Sequence, residues 1–402
     1  MSGAALCREA GADAAVAAAI AHCVQCLCER LGRQLIGVVL TGSFARGEGT
    51  VVPVDGHLRV LGDIEFLVIL PRGRDARALR PALAGWSRQA SRTLGEQGLR
   101  VDVEFGPAEE SYLRRRARPS IFVHELRTHG RVVWGPPDLL ARIPPFSAAD
   151  IPREDAVHLV FNRAIEQLEA WDRLDALGDE ALLDVAYQRL KLRLDLAGSA
   201  LAFAGRHVSS YAQRPRAFAA LLADTPALAA RLPPAFDADL DHAARAKLTP
   251  TLDDVLPAAP PGGARAWIRA EILRTRPALA TMLRWELGHV LGGDATLPVL
   301  LDRWVGAQPW RRRARQWAKL ALHPMPAPAP MSARRAARLA ARSTPRALTY
   351  AAAASAYLAL GDDGPAAGAA ARLLPLAAPV PSSAAEERAA ITAFWRWCLR
   401  ND

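Results

Sequence analysis

The sequence predicts an α+β fold in the first third of the chain and an all-helical remainder, and three patterns carry that prediction. Short apolar runs at Leu35–Leu40, Phe66–Leu70 and Leu99–Phe105 are separated by longer amphipathic stretches, the pattern of a sheet with helices packed on it. Asp55-Gly56 lies between alternating apolar residues from Thr50 to Leu61, a β-hairpin signal. Beyond Pro144-Pro145 the apolar residues recur only at helical spacing. The 402 residues divide on this basis into expected domains 1–145, 146–300 and 301–402.

Residues 13–31 open as an amphipathic helix with Val16, Ile20, Cys23, Leu27 and Leu31 on one face. The β-branched run Ile36–Leu40 is a buried strand between Gly32 and Gly42. Gly42 permits a tight turn, and Ser43 adds a hydroxyl beside free backbone N–H groups, a combination that cradles phosphate. After the hairpin, Asp63-Ile64-Glu65 heads the next strand, and its acids, two residues apart, point to one face. Paired carboxylates repel unless a cation joins them, and a hard divalent ion, Mg²⁺ above all, is their natural partner. Residues 75–94 form a helix with Leu79, Leu83, Trp86, Ala90 and Leu94 inward.

In Leu99–Phe105, Val101, Val103 and Phe105 take one face while Asp102 and Glu104 take the other. Beside the Asp63 strand this builds a cluster of three or four carboxylates, the makeup of a two-metal phosphoryl-transfer site. Residues 109–118 read as a charged helix, and Arg131–Trp134 as a last strand ended by Gly135-Pro136-Pro137.

Gly42-Ser43, Asp63-Ile64-Glu65 and Val101-Asp102-Val103 together resemble the three-part pattern of the nucleotidyltransferase superfamily related to DNA polymerase β. Phe44-Ala45-Arg46-Gly47 and Leu139-Leu140 resemble its accompanying segments. The resemblance implies a small mixed nucleotidyltransferase sheet with flanking helices. It implies further that Gly42 and Ser43, aided by Arg46, bind the phosphates of an NTP, with ATP the expected one. Asp63 and Glu65 would hold the metal, two Mg²⁺ ions being expected. Asp102, which fits the family pattern more closely than Glu104, would complete the metal site and help deprotonate the acceptor. The implied reaction moves an NMP onto a hydroxyl and releases pyrophosphate. The acceptor stays open among a small molecule, a protein and an RNA. The interval from Ser43 to Asp63 is longer than is common in the family, and the inserted hairpin accounts for the excess.

In the helical part, Tyr187–Arg214, with Lys191, Asp195, Tyr211 and Arg214, resembles the domains called HEPN. Arg153 with His158, and Arg284 with His289, match the Arg-x4-6-His motif of the HEPN ribonucleases. Lys191 and Arg163 are candidate phosphate contacts from this region. Two alternatives therefore stand beside the transferase: a catalytically degenerate binding module, and a HEPN-type ribonuclease with the transferase as its regulator.

The net charge of +10 rests almost wholly on arginine, since the lysines are Lys191, Lys247 and Lys319, and it favours anionic partners. Residues 303–346 hold eleven of the cations and no acid, interleaved with Trp304, Trp310 and Trp317, around an extended linker at Pro324–Pro330. This suits contact with an anionic surface or nucleic acid, or a bundle helix with arginines outward and tryptophans inward. Five cysteines are an odd count, so disulfides are not the framework, and Cys23, Cys26 and Cys28 do not converge on a helix. No signal peptide and no run of membrane-span length is expected, Leu348–Leu360 coming closest, which predicts a cytoplasmic protein without a transmembrane segment.

Overall fold

The computed structural model describes residues 5–73, 76–323, 333–361, 374 and 383–401. They cluster into two compact units: Met1–Asp155 with Leu201–Ala220 and Asp237–Ala258, and Ala156–Ala200 with Leu221–Phe236 and Ala259–Asp402. The first unit contains the whole of the expected 1–145 and adds two later helical segments. The Pro324–Pro330 linker falls outside the described residues.

The first unit is an α+β domain on a five-stranded mixed sheet. Its elements are α1 (Ala10–Leu31), β1 (Gly37–Leu40), the one-turn helix α2 (Gly42–Ala45), β2 (Val51–Val54), β3 (His57–Leu70), α3 (Ala76–Glu96), β4 (Leu99–Glu109), α4 (Ile121–His129) and β5 (Arg131–Trp134). The long strand β3 organises the rest. Its first half pairs antiparallel with β2, its second half antiparallel with β1, and its other edge runs parallel to β4; β5 extends the sheet beyond β1. The expected hairpin forms with Asp55 and Gly56 both at positive φ (46° and 81°), the mirror-image turn that suits strand twist. Residues 109–118 differ from expectation. β4 continues to Glu109 because its parallel ladder with β3 runs to Leu70↔Glu109, and the helical residues are 110–116, of which Tyr112–Arg116 form a wider π turn.

One face of the sheet is fully covered. Val16, Ile20, Cys23, Leu27 and Leu31 of α1 and Leu83, Ala90 and Leu94 of α3 bury against Ile64, Phe66, Val68, Val101, Val103 and Phe105. The stretch Gly11–Gln34 is long and apolar enough to cross a membrane, where the sequence reading found none. Its apolar stripe here belongs to the sheet core. The cysteines are all free; Cys23 is buried, and Cys26 and Cys28 are partly exposed. On the opposite face, Val39, Ile69 and Ala108 are covered by Val123 and Leu126 of α4 and by Leu139 and Leu140. Strand alternation puts Asp63, Glu65, Asp102 and Glu104 on this second face, beyond that cover.

The second unit is helical among its described residues. Helices Arg153–Arg173 and Asp179–Phe203 bury Val157, Val160, Phe161, Ala164, Ile165 and Leu168 from the one and Leu190, Leu194 and Ala197 from the other. Ser199 meets Ala156 and Asp195 meets Arg163, so these two helices run antiparallel, as their spacing predicts. In the basic region, helices Trp310–Leu322 and Ala333–Arg342 expose Arg311, Arg312, Arg315, Arg334 and Arg338. Trp304 is buried and Trp317 donates from its ring N–H to the Ser343 carbonyl at 2.8 Å, whereas Trp310 is 71 % exposed.

Candidate functional site

The apolar residues of β1 and β3 set the site by locking two strand ends together. Leu40 lies opposite Phe66, and one step on the Thr41 N–H donates to the Glu65 carbonyl at 2.9 Å. The Thr41 hydroxyl reaches the Glu65 carboxylate at 3.3 Å. Gly42 follows at φ +67°, and a Cβ there would lie 2.9 Å from Glu65 Oε2, so glycine is the residue that both the backbone and the carboxylate require. Phe44 and Ala45 bury and anchor the single turn of α2, leaving Gly42 and Ser43 half-exposed. The leading N–H groups of such a turn have no intrahelical acceptor.

β4 supplies the next carboxylate. Its free edge is held by α3, where the Ser91 and Ser87 hydroxyls accept the N–H groups of Val103 and Phe105 at 3.0 and 3.1 Å. Glu104 is thereby clamped from both sides. Oxygens of Asp63, Glu65 and Glu104 all lie within 4.8 Å of one another, a set of hard donors that suits a divalent cation such as Mg²⁺. Asp102 is outside this group. In the ladder it lies opposite Asp63, at the end of an irregularity between Arg59 and Asp63, one step farther than Glu104 from Glu65 and the glycine turn. The sequence pattern favours Asp102 over Glu104 as the third acid; the geometry joins Glu104 to the pair.

The carboxylate cluster sits between two cavities. On the glycine side, a small hollow of 50 Å³ is lined by Thr41, Gly42, Ala45, Arg46, Glu65, Phe122 and Glu125 among others. On the β4 side, an open groove of 660 Å³ is lined by Asp63, Arg88, Ser91, Arg92, Asp102, Val103 and Glu104.

Arg46 does not stand free beside the turn. Its guanidinium pairs with Glu125 at 2.5 Å and Glu48 at 3.4 Å, stacks 4.9 Å from the Tyr211 ring, and its side chain is 4 % exposed. Glu48 in turn accepts from the Ser210 hydroxyl at 2.7 Å and the Tyr211 N–H at 3.0 Å. His207 Nε2 lies 3.4 Å from Glu125. Burial by itself would push the Glu125 carboxyl up. The His207 hydrogen bond and the charges of Arg46, His207 and Arg214 outweigh it and hold the group at about 2. Sequence reasoning missed Glu48, Glu125, His207 and Tyr211 as one network. Its only local trace is Glu48, two residues from Arg46, because the other members come from far along the chain.

The arginines and histidines of the helical-region motifs each have contacts of their own. Arg153 stacks on Phe203 within the first unit. In the second unit, His158 packs against Tyr350 and Trp304, and His289 Nδ1 faces the Trp285 carbonyl at 2.8 Å while Arg284 pairs with Asp294. Arg163 is engaged by Asp195 and Glu166.

No protein-family model matches the chain, and no curated protein does. Among solved structures, a crystal structure of a spectinomycin adenyltransferase from Enterococcus faecialis with ATP and spectinomycin is similar at 14 % identity. It covers 63 % of this chain and 97 % of the other, with a TM-score of 0.36.

Proposed function

We propose that the first unit is a metal-dependent nucleotidyltransferase that moves an NMP from an NTP, ATP the expected one, onto a hydroxyl acceptor. The observation that carries this reading is the convergence of Asp63, Glu65 and Glu104 beside a half-exposed glycine-serine turn whose backbone is locked to Glu65. Each part alone is common in proteins; the combination is what phosphoryl transfer to a hydroxyl needs.

In this reading Gly42 and Ser43 receive the triphosphate. Asp63 and Glu65 hold the metal together with Glu104, which takes the place the sequence reading gave to Asp102. Bound Mg²⁺, two ions by expectation, would supply charge neutralisation at the phosphates and acidify the acceptor hydroxyl. Arg46 acts through position: braced by Glu125 and Glu48, it fixes the end of α2. The acceptor oxygen forms a bond to the α-phosphorus, the bond from that phosphorus to the bridging oxygen breaks, and pyrophosphate leaves with the electron pair. Asp102, in the groove, is a candidate to take the hydroxyl proton.

Purified protein, Mg²⁺, each α-³²P-labelled NTP and a cell extract, run beside Asp63→Asn, tests the reading. Label transferred by the wild type and not by the variant supports it; absence of both label and pyrophosphate release, with NTP binding demonstrated, overturns it. Glu104→Gln abolishing turnover while Asp102→Asn reduces it would fix Glu104 as the third metal-binding acid, and the reverse would restore Asp102.

A second reading draws on the exposed arginines of Trp310–Leu322 and Ala333–Arg342: the chain binds an anionic surface through residues 303–346 without turnover. It predicts that Asp63→Asn leaves binding intact while Arg311→Glu with Arg315→Glu removes it.

A further inference from the structure

The β4-side groove contains charges that the transferase reading leaves unused. Arg88 and Arg92 stand one helical turn apart on α3, both exposed, both lining the groove with Asp63, Asp102 and Glu104. Neither makes a hydrogen bond, ion pair or ring contact with any described residue, although acids line the same groove. Three arginines around the nearby sheet behave otherwise: Arg46 is doubly paired, Arg142 pairs with Glu110, and Arg131 donates to the Ala45 carbonyl. The helix carrying Arg88 and Arg92 is also fixed. Ser87 and Ser91, each the residue just before one of the arginines, bond the β4 backbone, so both side chains start from set points beside Asp102 and Glu104.

Two guanidiniums in register on one helix face suit an oxyanion, which they grip through parallel N–H donors. The groove's own acids would repel such a ligand in isolation. A divalent ion on Asp63, Glu65 and Glu104 cancels two of the four negative charges that these acids and Asp102 carry, and Arg88 and Arg92 match the two that remain, so an added anion is no longer opposed by a net negative site. The side of the sheet matters equally. The glycine turn lies across β3 on the β1 side and the groove lies on the β4 side, with the carboxylates between them. A triphosphate on the turn leaves the groove to the second substrate.

We infer that the acceptor carries a phosphate group, which Arg88 and Arg92 bind while its hydroxyl is presented at Glu104 and Asp102. The inference rests on the nucleotidyltransferase reading for the identity of the ligand as acceptor; phosphate binding at the arginine pair does not depend on it. The reaction stays balanced: the acceptor's hydroxyl oxygen bonds to the α-phosphorus, pyrophosphate departs, the proton passes to a groove carboxylate and then to water, and the acceptor's own phosphate is unchanged.

The first test is a titration of the full chain with inorganic phosphate by calorimetry in Mg²⁺ buffer. Wild type binds, Arg88→Ala with Arg92→Ala weakens binding at least about tenfold, and the two changes to Lys restore part of it. Binding unchanged in the double-alanine chain overturns the inference. In the transfer assay, glycerol 3-phosphate is expected to accept label where glycerol does not, and a 5′-phosphorylated RNA oligonucleotide with a free 3′-hydroxyl tells a small acceptor from a nucleic acid. The double-alanine chain should raise the acceptor KM at least about tenfold with the NTP KM unchanged. A raised NTP KM instead assigns the pair to the triphosphate, and equal transfer to glycerol and to glycerol 3-phosphate removes the phosphate requirement; either overturns it. Arginine-dependent phosphate binding without any transfer sinks the transferase reading and leaves a phosphate site.

Discussion

Two groups of carboxylates lie close to the same glycine turn, and the protein treats them in opposite ways. Glu125 and Glu48 are provided with Arg46, His207 and backbone N–H groups, so their charge is met inside the fold. Asp63 and Asp102 have no hydrogen-bonding or ionic partner among the described residues, and Asp63 converges with Glu65 and Glu104 instead. A protein of net charge +10 has cations to spare, so carboxylates left unmet are not a shortage of partners. Carboxylates in this arrangement suit a divalent cation. The braced group fixes where the turn stands, and the open group is where the proposed chemistry would act.

Breaking the open group should give the largest effect on activity and the smallest on the apo fold. Asp63→Asn is expected to lower transfer by about a thousandfold or more, given that metal-borne charge stabilisation is worth several kcal/mol. Without metal, its melting temperature should equal or exceed the wild type's, because one of three mutually repelling acids has gone. Mg²⁺ should raise the wild-type melting temperature and leave that of the variant unmoved. An equal Mg²⁺ response in both chains would show that the cluster does not hold the ion.

Breaking the braced group should reverse the pattern. Arg46→Met leaves Glu125 and Glu48 in place with their principal cation removed, and loss of one partner of a buried pair costs about 3–5 kcal/mol. Denaturant titration checks this, with Mg²⁺ binding per folded molecule expected to survive. The acid limb follows with a definite sign. Glu125 is held at about 2 when folded, below its ordinary value of 4.5, so its contribution is complete above pH 4.5 and is lost as pH falls toward 2. Arg46→Met should flatten that limb.

The contrast between the two groups was only half visible in the sequence. The alternation around Asp63-Ile64-Glu65 and Val101–Phe105 fixed the shared face of all four acids, and Asp55-Gly56 fixed the hairpin. Choosing between Asp102 and Glu104 was another matter, because both lie on that face and only the β3–β4 register and its irregularity before Asp63 separate them. Arg46 read as a phosphate contact since its neighbours in sequence are the glycine turn. Its actual partners lie 79 residues away at Glu125 and farther still at Tyr211, and no local pattern announces such pairings. The inclusion of Leu201–Ala220 and Asp237–Ala258 in the first unit is likewise a matter of long-range packing, which helical periodicity alone does not record.

The helical unit has a buried carboxyl that sharpens the same comparison. Glu286 is fully buried, its carboxyl meets the Ser199 hydroxyl, and desolvation pushes it up to about 8. Ser199 lies 2.5 Å from Glu286 Oε1 and 2.8 Å from the Ala156 carbonyl, and one hydroxyl proton cannot serve both. A protonated Glu286 resolves this by donating to Ser199, which then donates to Ala156. The folded value lies above the ordinary 4.5, so the stability it confers is full below pH 4.5 and lost as pH rises to about 8. Glu286→Gln keeps the donor without the titration. It should match wild type near pH 4.5 and exceed it by up to about 3 kcal/mol near pH 7. A constant difference across that range would show that Glu286 does not carry the proton.

The smallest effects come from two glycines with nearly the same backbone. Gly42 and Gly56 have φ of +67° and +81°, and alanine at either pays about 1 kcal/mol for the left-handed conformation. Their surroundings differ. Nothing lies within 4 Å of a Cβ at Gly56, whereas one at Gly42 would meet the end of the Glu65 side chain at 2.9 Å. That carboxylate can swing aside at little cost in stability, but doing so takes it out of the cluster with Asp63 and Glu104. The two alanine variants should therefore melt alike and separate in function: Gly56→Ala keeps the Mg²⁺-induced rise in melting temperature and the transfer rate, and Gly42→Ala loses both. Equal function in the two would mean that Glu65 is not needed where the glycine turn holds it.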